Sequence, residues 1–355
     1  MIIILLLFSF CILMQTMQFK PRVNISQGIV EGVILRTKNR RDFSAFIGIP
    51  YGEPPVGELR FSSPVPIKKW VGTYLADNEN FQIKCPQFDS DEVIGQEDCL
   101  YLNVFTPLTK FNLSNPNDSR FPVMLWIHGG AFVFGSNSFN EYGPKYFLDK
   151  DIVLVTINYR LGVFGFLTTA DLVAPGNFGL KDQILALKWV QNNIESFGGD
   201  KNKVTLFGES AGGMSISFHT LSDASNGLFH QYILQSGNAL SSCAYRDKTN
   251  FKIDVERVAK SVDCPMVNST IMIKCLRNVN FKNLLKASKF YESKKPQLIW
   301  TPTNEIASKD AFLMDSPQNL VRQNKIKKYP FISGVVADEG LYVTAGKFFQ
   351  FIKIV

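Results

Sequence analysis

A serine between two glycines is the feature of this sequence best suited to chemistry. Residues 208–212 read Gly-Glu-Ser-Ala-Gly, and they follow the apolar run 204–207 and precede a stretch with helical character. A strand, a sharp turn and a helix in that order expose a serine hydroxyl above a sheet. The glycines permit a tight, strained turn, and the helix N-terminus lies beneath the hydroxyl. Ser210 is therefore predicted to be the nucleophile of an acyl-transfer reaction.

A second glycine motif could stabilise the negative charge that such a reaction develops. Residues 128–131 read His-Gly-Gly-Ala and follow the apolar run 123–127. Backbone N–H groups aimed at a developing oxyanion stabilise it, and small residues let the backbone approach the substrate. We predict that the N–H groups of Gly130 and Ala131 join that of Ala211 in an oxyanion hole. The alternative is an ordinary glycine turn after a strand.

The acid of a catalytic triad is expected after the serine, at the end of a later strand. Asp338 and Glu339 follow the predicted strand 330–336 and fit that order, although two adjacent acids in a turn are by default solvated surface.

The base is harder to place, because the chain has three histidines and each suits a structural role. His219 lies nine residues after Ser210 on the same predicted helix, about 13 Å along its axis and beyond hydrogen-bond reach. His230 precedes a strand and so lies at the opposite end of the sheet, and His128 belongs to the oxyanion loop. The chain order serine, acid, histidine then predicts a base beyond Val355.

Alternating strands and helices position these residues. Apolar runs predict strands at 28–35, 43–49, 101–105, 123–127, 152–157, 204–207, 232–234 and 330–336. Apolar residues at helical spacing from Leu180 to Ile194 predict a helix that Gly198 and Gly199 stop, and 251–288 is predicted to be mixed helix. This order predicts an α/β fold with a mostly parallel sheet and helices on both faces. Ligands bind such sheets at the carboxyl ends of the strands.

Composition limits the function classes. With 355 residues and 45% apolar content, the chain can bury the core of one large domain, or of a domain and a smaller lobe. The net charge of +7 is scattered rather than clustered, which favours a solvated surface over a nucleic-acid site. We predict no nucleic-acid partner, no metal and no cofactor.

The amino terminus predicts secretion. The apolar run 2–14 has the length of a signal-peptide core and is too short to span a bilayer. We interpret residues 1–18 as a signal peptide; an uncleaved anchor or a buried first strand are the alternatives. No later segment is long and apolar enough to cross a membrane. Glycosylation sequons are compatible with the secretory route and occur at Asn24, Asn112, Asn117 and Asn268.

The cysteines agree with an oxidising compartment. Cys11 would leave with the signal peptide, so that five remain. Two pairs, each bracketing a polar loop, are consistent with two short-loop disulfides: Cys85 with Cys99 and Cys264 with Cys275. Cys243 is left unpaired. Reduced, buried cysteines are the alternative, and spacing alone does not determine the connectivity.

From about residue 28 to residue 346 the sequence resembles the type B carboxylesterases, the cholinesterase-like branch of the α/β-hydrolases. Two long signatures carry the resemblance, Glu-Asp-Cys-Leu-Tyr-Leu-Asn-Val at 97–104 and the segment from Phe-Gly-Gly at 197–199 to the glycine at 212. The resemblance implies Ser210 as nucleophile and Glu339 as triad acid. It also implies the oxyanion hole of Gly130, Ala131 and Ala211, the two disulfides, and buried ion pairs Arg60–Glu97 and Arg160–Asp182.

The resemblance implies a secreted hydrolase of small-molecule carboxylic esters with its domain at 19–346 and an unmatched tail at 347–355. Members continue past the acid to further helices, another strand and the histidine, so we expect this chain to be the N-terminal part of such an enzyme, with exposed apolar sheet surface and little activity. A choline ester is disfavoured because loop 86–98 has no tryptophan. Juvenile-hormone esterases usually carry Gln where Glu209 stands, which leaves a general carboxylesterase. A non-catalytic binding or adhesion ectodomain is the alternative.

Overall fold

The structure, a computed structural model, describes residues 20–111, 120–289 and 299–341. Its strands are β1 (Arg22–Ile25), β2 (Gly28–Glu31), β3 (Val33–Arg36), β4 (Asp42–Pro50), β5 (Thr73–Leu75), β6 (Gln87–Asp89), β7 (Glu92–Ile94), β8 (Tyr101–Thr106), β9 (Phe121–Ile127), β10 (Val153–Ile157), β11 (Gly199–Glu209), β12 (Gln231–Gln235) and β13 (Phe331–Gly334). Its α-helices are α1 (Phe139–Tyr142), α2 (Gly162–Phe166), α3 (Phe178–Asn193), α4 (Ala211–Leu221), α5 (Lys252–Ser261), α6 (Ser269–Asn278), α7 (Phe281–Ala287) and α8 (Pro317–Arg322).

Eight of these strands form one mixed sheet in the order β13-β12-β11-β9-β10-β8-β4-β3. The five strands from β13 to β10 are parallel to one another, and the three beyond them pair antiparallel. The predicted mostly parallel sheet is therefore confirmed. Because β9, β11, β12 and β13 run in one direction, their carboxyl ends meet at one edge, where α/β sheets bind ligands.

Both faces of the sheet are covered. Val123, Leu125 and Ile127 of β9 belong to the larger core, which includes α3 and α4, whereas Trp126 belongs to a smaller core with Phe139 of α1. Side chains of a strand point alternately to opposite faces, so β9 contributes to both cores.

One predicted strand is two strands. Residues 28–35 were expected to form a single strand, but the chain divides at Gly32, so that β2 pairs with β1 and β5 in a separate three-stranded sheet and β3 pairs with β4. A Cβ on residue 32 would lie 2.4 Å from the carbonyl oxygen of Ala45. Only glycine lets the chain pass this close to β4 as it changes sheets.

Both predicted helical segments are helical, and the structure adds detail to each. The helix predicted from the apolar residues that begin at Leu180 is α3, which also buries the polar residues Lys181, Asp182 and Gln183. It ends at Asn193, and a 3-10 turn (Ile194–Phe197) leads to Gly198, which has a left-handed φ of 81°. The predicted stretch 251–288 is three helices, α5, α6 and α7. Helical periodicity identified the segments but not their partners, because packing on all sides is a tertiary property.

Covalent and ionic cross-links match the sequence expectations. Disulfides join Cys85 to Cys99 and Cys264 to Cys275, and Cys243 is a free, exposed thiol. The implied ion pairs are present as well: Arg60–Glu97 and Arg160–Asp182 are both buried, with closest N–O distances of 2.6 Å. Their desolvation cost is offset only because each pair makes several hydrogen bonds.

Several predictions fall on residues that the structure does not describe. The signal segment 1–18, the tail 347–355 and the sequons at Asn112 and Asn117 lie outside the described residues. Asn24 and Asn268 are described, and both are exposed. Within 20–111, 120–289 and 299–341, no helix has the length and apolar character needed to cross a bilayer.

The edge strand β13 is exposed along its whole length. Phe331 and Ile332 on the strand, and Val335 and Val336 after it, are each at least 61% exposed. The strand is also shorter than the predicted 330–336. Apolar side chains are thus exposed along this edge of the sheet.

Candidate active site

Ser210 lies at the corner between β11 and α4. Its φ of 53° and ψ of −120° place a non-glycine residue in a sparsely populated backbone region, and its side chain is partly exposed. The corner is held by its own backbone, because the Ser210 N–H donates to the carbonyl of Gln235 and the Ser210 carbonyl accepts from Met214. Backbone strain of this kind persists only where surrounding contacts over-determine it.

The two glycines of the motif have a different role from the one expected. Neither Gly208 nor Gly212 adopts a positive φ; the strained residue is Ser210 itself. A Cβ at residue 208 would lie 2.6 Å from the carbonyl oxygen of Ile127, and one at residue 212 would lie 2.0 Å from the same atom. The glycines are therefore required for close packing of the corner against the end of β9.

The loop after β9 passes directly beside Ser210. A Cβ on Gly129 would lie 2.8 Å from the backbone oxygen of Glu209 and 3.3 Å from the Cβ of Ser210. Gly130, Ala131 and the following Phe132 all have left-handed φ values, 104°, 54° and 62°. Three consecutive positive φ values, two of them at non-glycine residues, mark this loop as a strained turn.

The N–H groups named in the sequence prediction have no protein acceptor. Within the described part of the chain, the backbone N–H groups of Gly130, Ala131 and Ala211 donate to no protein group. Ala211 is the first residue of α4, where the helix dipole favours negative charge. These donors remain available to an oxygen placed between the loop and the serine.

Contacts beneath the loop hold its shape. His128 is buried and stacks on Tyr159 at 4.4 Å between ring centroids, and the Tyr159 hydroxyl donates to the His128 carbonyl. The Gln87 side chain makes two hydrogen bonds to the backbone of Gly135, one as donor and one as acceptor. The loop is thereby held against the segment that follows β10 and against the first disulfide loop.

His128 itself is neutral. Its Nδ1 lies 2.8 Å from the carbonyl of Gly129, which can only accept, so Nδ1 carries the proton. Burial lowers the pKa of His128 to about 4.

Glu339 lies near the same end of the sheet. The Ser236 side chain also forms a hydrogen bond to the Glu339 carboxylate, and Glu339 Oε1 accepts from the N–H of Val336 at 3.0 Å. Both hydrogen bonds lower the pKa of Glu339 below its ordinary value, and the one from Ser236 has the larger effect. Ser236 has a left-handed φ of 53°, and its N–H donates to Gly334. The ends of β11, β12 and β13 thus bring the serine corner and the carboxylate together.

Glu209 is the second carboxylate of the site. Burial, and secondarily the negative charge of Glu339, raises its pKa above the ordinary value. The two carboxyl groups therefore lie close enough for their charges to interact.

The other two histidines lie elsewhere, as expected. His219 is buried in α4 with its Nε2 2.9 Å from the Gln183 side-chain oxygen, and burial lowers its pKa to about 3. His230 precedes β12, where its Nδ1 accepts from the N–H of Val204 at the start of the parallel strands. All three histidines are among the described residues, and none of the three hydrogen-bonds to Ser210.

Comparison of the sequence with known families decides what kind of protein this is. The carboxylesterase family profile matches residues 20–351, nearly the whole chain. The chain belongs to the carboxylesterase family. Its sheet, with helices on both faces and a serine at a strand-to-helix corner, is the α/β-hydrolase fold.

Similar members of the family come from insects. The chain is 40% identical to a carboxylic ester hydrolase of Bombus ignitus over 97% of this chain and 61% of that protein. It is 40% identical to venom carboxylesterase-6 of Apis mellifera, over 92% of this chain and 58% of that protein. It is 41% identical to juvenile hormone esterase of Tribolium castaneum, over 90% of this chain and 55% of that protein. The chain thus spans about 60% of the length of the first two relatives.

The motifs of this carboxylesterase-family chain did not reveal every residue that builds the site. Gln87, Tyr159 and Ser236 were missed, because each acts through one contact with a residue distant in sequence. Of these, only Gln87 could have been suspected from the sequence, because it lies inside the loop closed by the Cys85–Cys99 disulfide. The buried pair Lys181–Glu305 was missed for the same reason.

Proposed function

We propose that the protein is a serine hydrolase of carboxylic esters that works through an acyl-enzyme. The proposal depends on two observations. The backbone of Gly129 lies beside Ser210 at the strained corner, and the N–H groups of Gly130, Ala131 and Ala211 have no acceptor among the residues that the structure describes. In the proposed reaction Ser210 Oγ attacks the ester carbonyl and these N–H groups stabilise the tetrahedral oxyanion. The alcohol leaves, and water then releases the carboxylic acid. Membership of the carboxylesterase family supports this chemistry.

Glu339 is proposed as the acid of the triad. Its lowered pKa keeps it ionised at neutral pH, as an acid that orients a protonated histidine must be. The hydrogen bonds from Ser236 and Val336 hold the carboxylate in place before any histidine is engaged.

The histidine base is proposed to come from outside residues 1–355. The three histidines of this chain are held in other contacts, and burial keeps the rings of His128 and His219 neutral. A triad without its base loses turnover on the order of a million-fold. Residues 1–355 by themselves are therefore expected to be nearly inactive.

A general carboxylesterase is the proposed activity of the whole protein. The first disulfide loop contributes Gln87 to the oxyanion loop and carries no tryptophan to face a quaternary ammonium group, which disfavours choline esters. Glu209 beside the serine disfavours a juvenile-hormone ester.

The proposed compartment is extracellular. We propose a signal peptide at 1–18, the carboxylesterase domain at 19–346 and a separate tail at 347–355. Two disulfides support an oxidising compartment, and one relative carries venom in its name. Small-molecule esters are the proposed partners.

Labelling by a fluorophosphonate probe tests the mechanism. The protein translated from the complete transcript should hydrolyse p-nitrophenyl butyrate with a burst of acyl-enzyme, and the probe should label Ser210 rapidly. Ser210→Ala should abolish both signals. Glu339→Gln should slow turnover strongly, whereas the matched control Asp338→Asn, an exposed acid one residue earlier, should not.

The same assay on residues 1–355 should give almost no turnover and slow labelling. Rapid stoichiometric labelling of Ser210 in that chain would refute the proposed external base. A complete protein with no turnover and no labelling would instead favour the non-catalytic binding alternative.

A further inference from the structure

A cavity beside α6 has no role in the proposed hydrolase reaction. It has a volume of about 470 Å³ and lies between the loop that carries Thr168, the helix α5 and the segment before α6, and its lining includes no residue of the candidate active site. Its floor includes the buried side chains of Val255 and Met272. Its rim includes Met266 and Val267, which are 49% and 77% exposed.

Such a lining suits a ligand with both apolar and hydroxyl groups. Besides the apolar side chains, the lining carries polar groups from Thr168, Thr249, Lys252 and Glu256. Binding sites for small molecules typically combine apolar walls with a few polar groups that orient the ligand. A ligand that covers Met266 and Val267 at the rim gains binding free energy, because burial of apolar area is favourable.

One residue of the cavity lining, Asn268, is a site where such a ligand could be attached covalently. Asn268 is exposed and begins the sequon Asn-Ser-Thr at 268–270. Its side-chain oxygen caps α6 by accepting from the N–H of Ile271 at 2.9 Å, whereas its Nδ2 has no partner within the described ranges. Attachment of a sugar at Nδ2 therefore leaves the helix cap intact.

We propose that the first sugars of an N-linked glycan on Asn268 fold back into this cavity and cover Met266 and Val267. The acetyl group and the C–H face of the first N-acetylglucosamine pack on these two side chains, and its hydroxyls reach the polar groups of the lining. The glycan then serves as a fixed part of the surface around α6, next to the Cys264–Cys275 disulfide. This inference rests on the secretory route proposed above.

Oxidation of methionine by dilute hydrogen peroxide tests the proposal. The whole protein is secreted from a glycosylating host, the sugars are located by peptide mass, and the oxidation rate of Met266 is measured against that of Met314. Met314 is 52% exposed and lies outside the cavity lining, so it serves as an internal reference. Sulfoxide formation at an accessible methionine follows its exposure.

Two variants remove the glycan and keep the helix cap. Thr270→Ala destroys the sequon without touching Asn268, and Asn268→Asp keeps an oxygen that can accept from Ile271. In the glycosylated protein Met266 should oxidise several-fold more slowly, relative to Met314, than in either variant. Met266→Ser should also speed enzymatic removal of the glycan from the native protein.

Equal Met266 rates with and without the glycan would overturn the proposal, as would sugar on Asn24 but none on Asn268. Absence of sugar from Asn268 in the secreted protein would overturn it whatever the other sequons carry, and failure of the host to secrete the protein would overturn it together with the secretory route. None of these outcomes touches the hydrolase proposal, which the fluorophosphonate assay decides separately.

Discussion

The carbonyl oxygen of Ile127 lies 2.0 Å from the position that a Cβ atom on Gly212 would occupy. This contact joins the end of β9, from which the proposed oxyanion loop leaves, to the first turn of α4, which directly follows Ser210. The distance between the loop after β9 and the Ser210 corner therefore depends on residue 212 having no side chain.

Gly212→Ala should destabilise the protein. The new methyl group meets backbone rather than a flexible side chain, so β9 and α4 must move apart, at a cost of about 1–3 kcal/mol. The free energy of unfolding from urea titration measures the loss. Gly334→Ala is the matched control, because nothing lies within 4 Å of its Cβ position and its φ is not positive. Equal effects of the two changes would contradict the close contact.

Ser210→Gly should stabilise the fold while removing the nucleophile. The φ of 53° and ψ of −120° suit glycine, so relief of strain outweighs the added chain entropy and raises the free energy of unfolding by about 1 kcal/mol. Ser210→Ala also removes the hydroxyl but keeps the strained Cβ, so it should show no gain. Urea titration of the three proteins decides, and equal stability of both variants would argue against strain at the corner.

Arg160→Met should cost far more than a similar change at the surface. Asp182 would remain buried without its partner, and removal of one member of a buried pair costs about 3–5 kcal/mol. Arg36 pairs with Asp42 where both side chains are largely exposed, so Arg36→Met should change stability by less than about 1 kcal/mol. Thermal unfolding compares them, and a small effect at Arg160 would mean that Asp182 finds another partner or water.

Acid should destabilise the protein below about pH 6.5. The pKa values of His128 and His219 fall to about 4 and about 3 in the folded state because the rings are buried, whereas the unfolded chain keeps ordinary values near 6.5. From pH 6.5 down to about 4 the unfolded state therefore binds protons that the folded state does not, and stability falls as pH falls. Each ring contributes about 1.4 kcal/mol per pH unit.

His219→Gln isolates one of these contributions. The variant should lose stability less steeply between pH 6 and pH 4, by about 1.4 kcal/mol per unit, whatever its stability at neutral pH. Urea titrations at several pH values give the slope. An unchanged slope would show that His219 gains its proton in the folded state.

Local patterns in the sequence predicted much of the fold and the site. The strand, turn and helix around Ser210 are encoded by neighbouring residues, and the structure has them where the pattern placed them. The same holds for the turn at 128–131, which follows β9, and for the mostly parallel sheet. Hydrophobic periodicity and glycine spacing act over a few residues, so they can be recognised without knowledge of the fold.

Contacts between distant segments were decided by the tertiary structure. The motif suggested that its glycines allow strain, but packing placed the strain on Ser210 and made Gly208 and Gly212 points of close approach to Ile127. Packing also brought Ser236 to Glu339 and split the predicted first strand at Gly32. The sequence determined which groups could react and near which strand ends they lie. Their separation depends on which backbones touch, and that is set only when the whole sheet assembles.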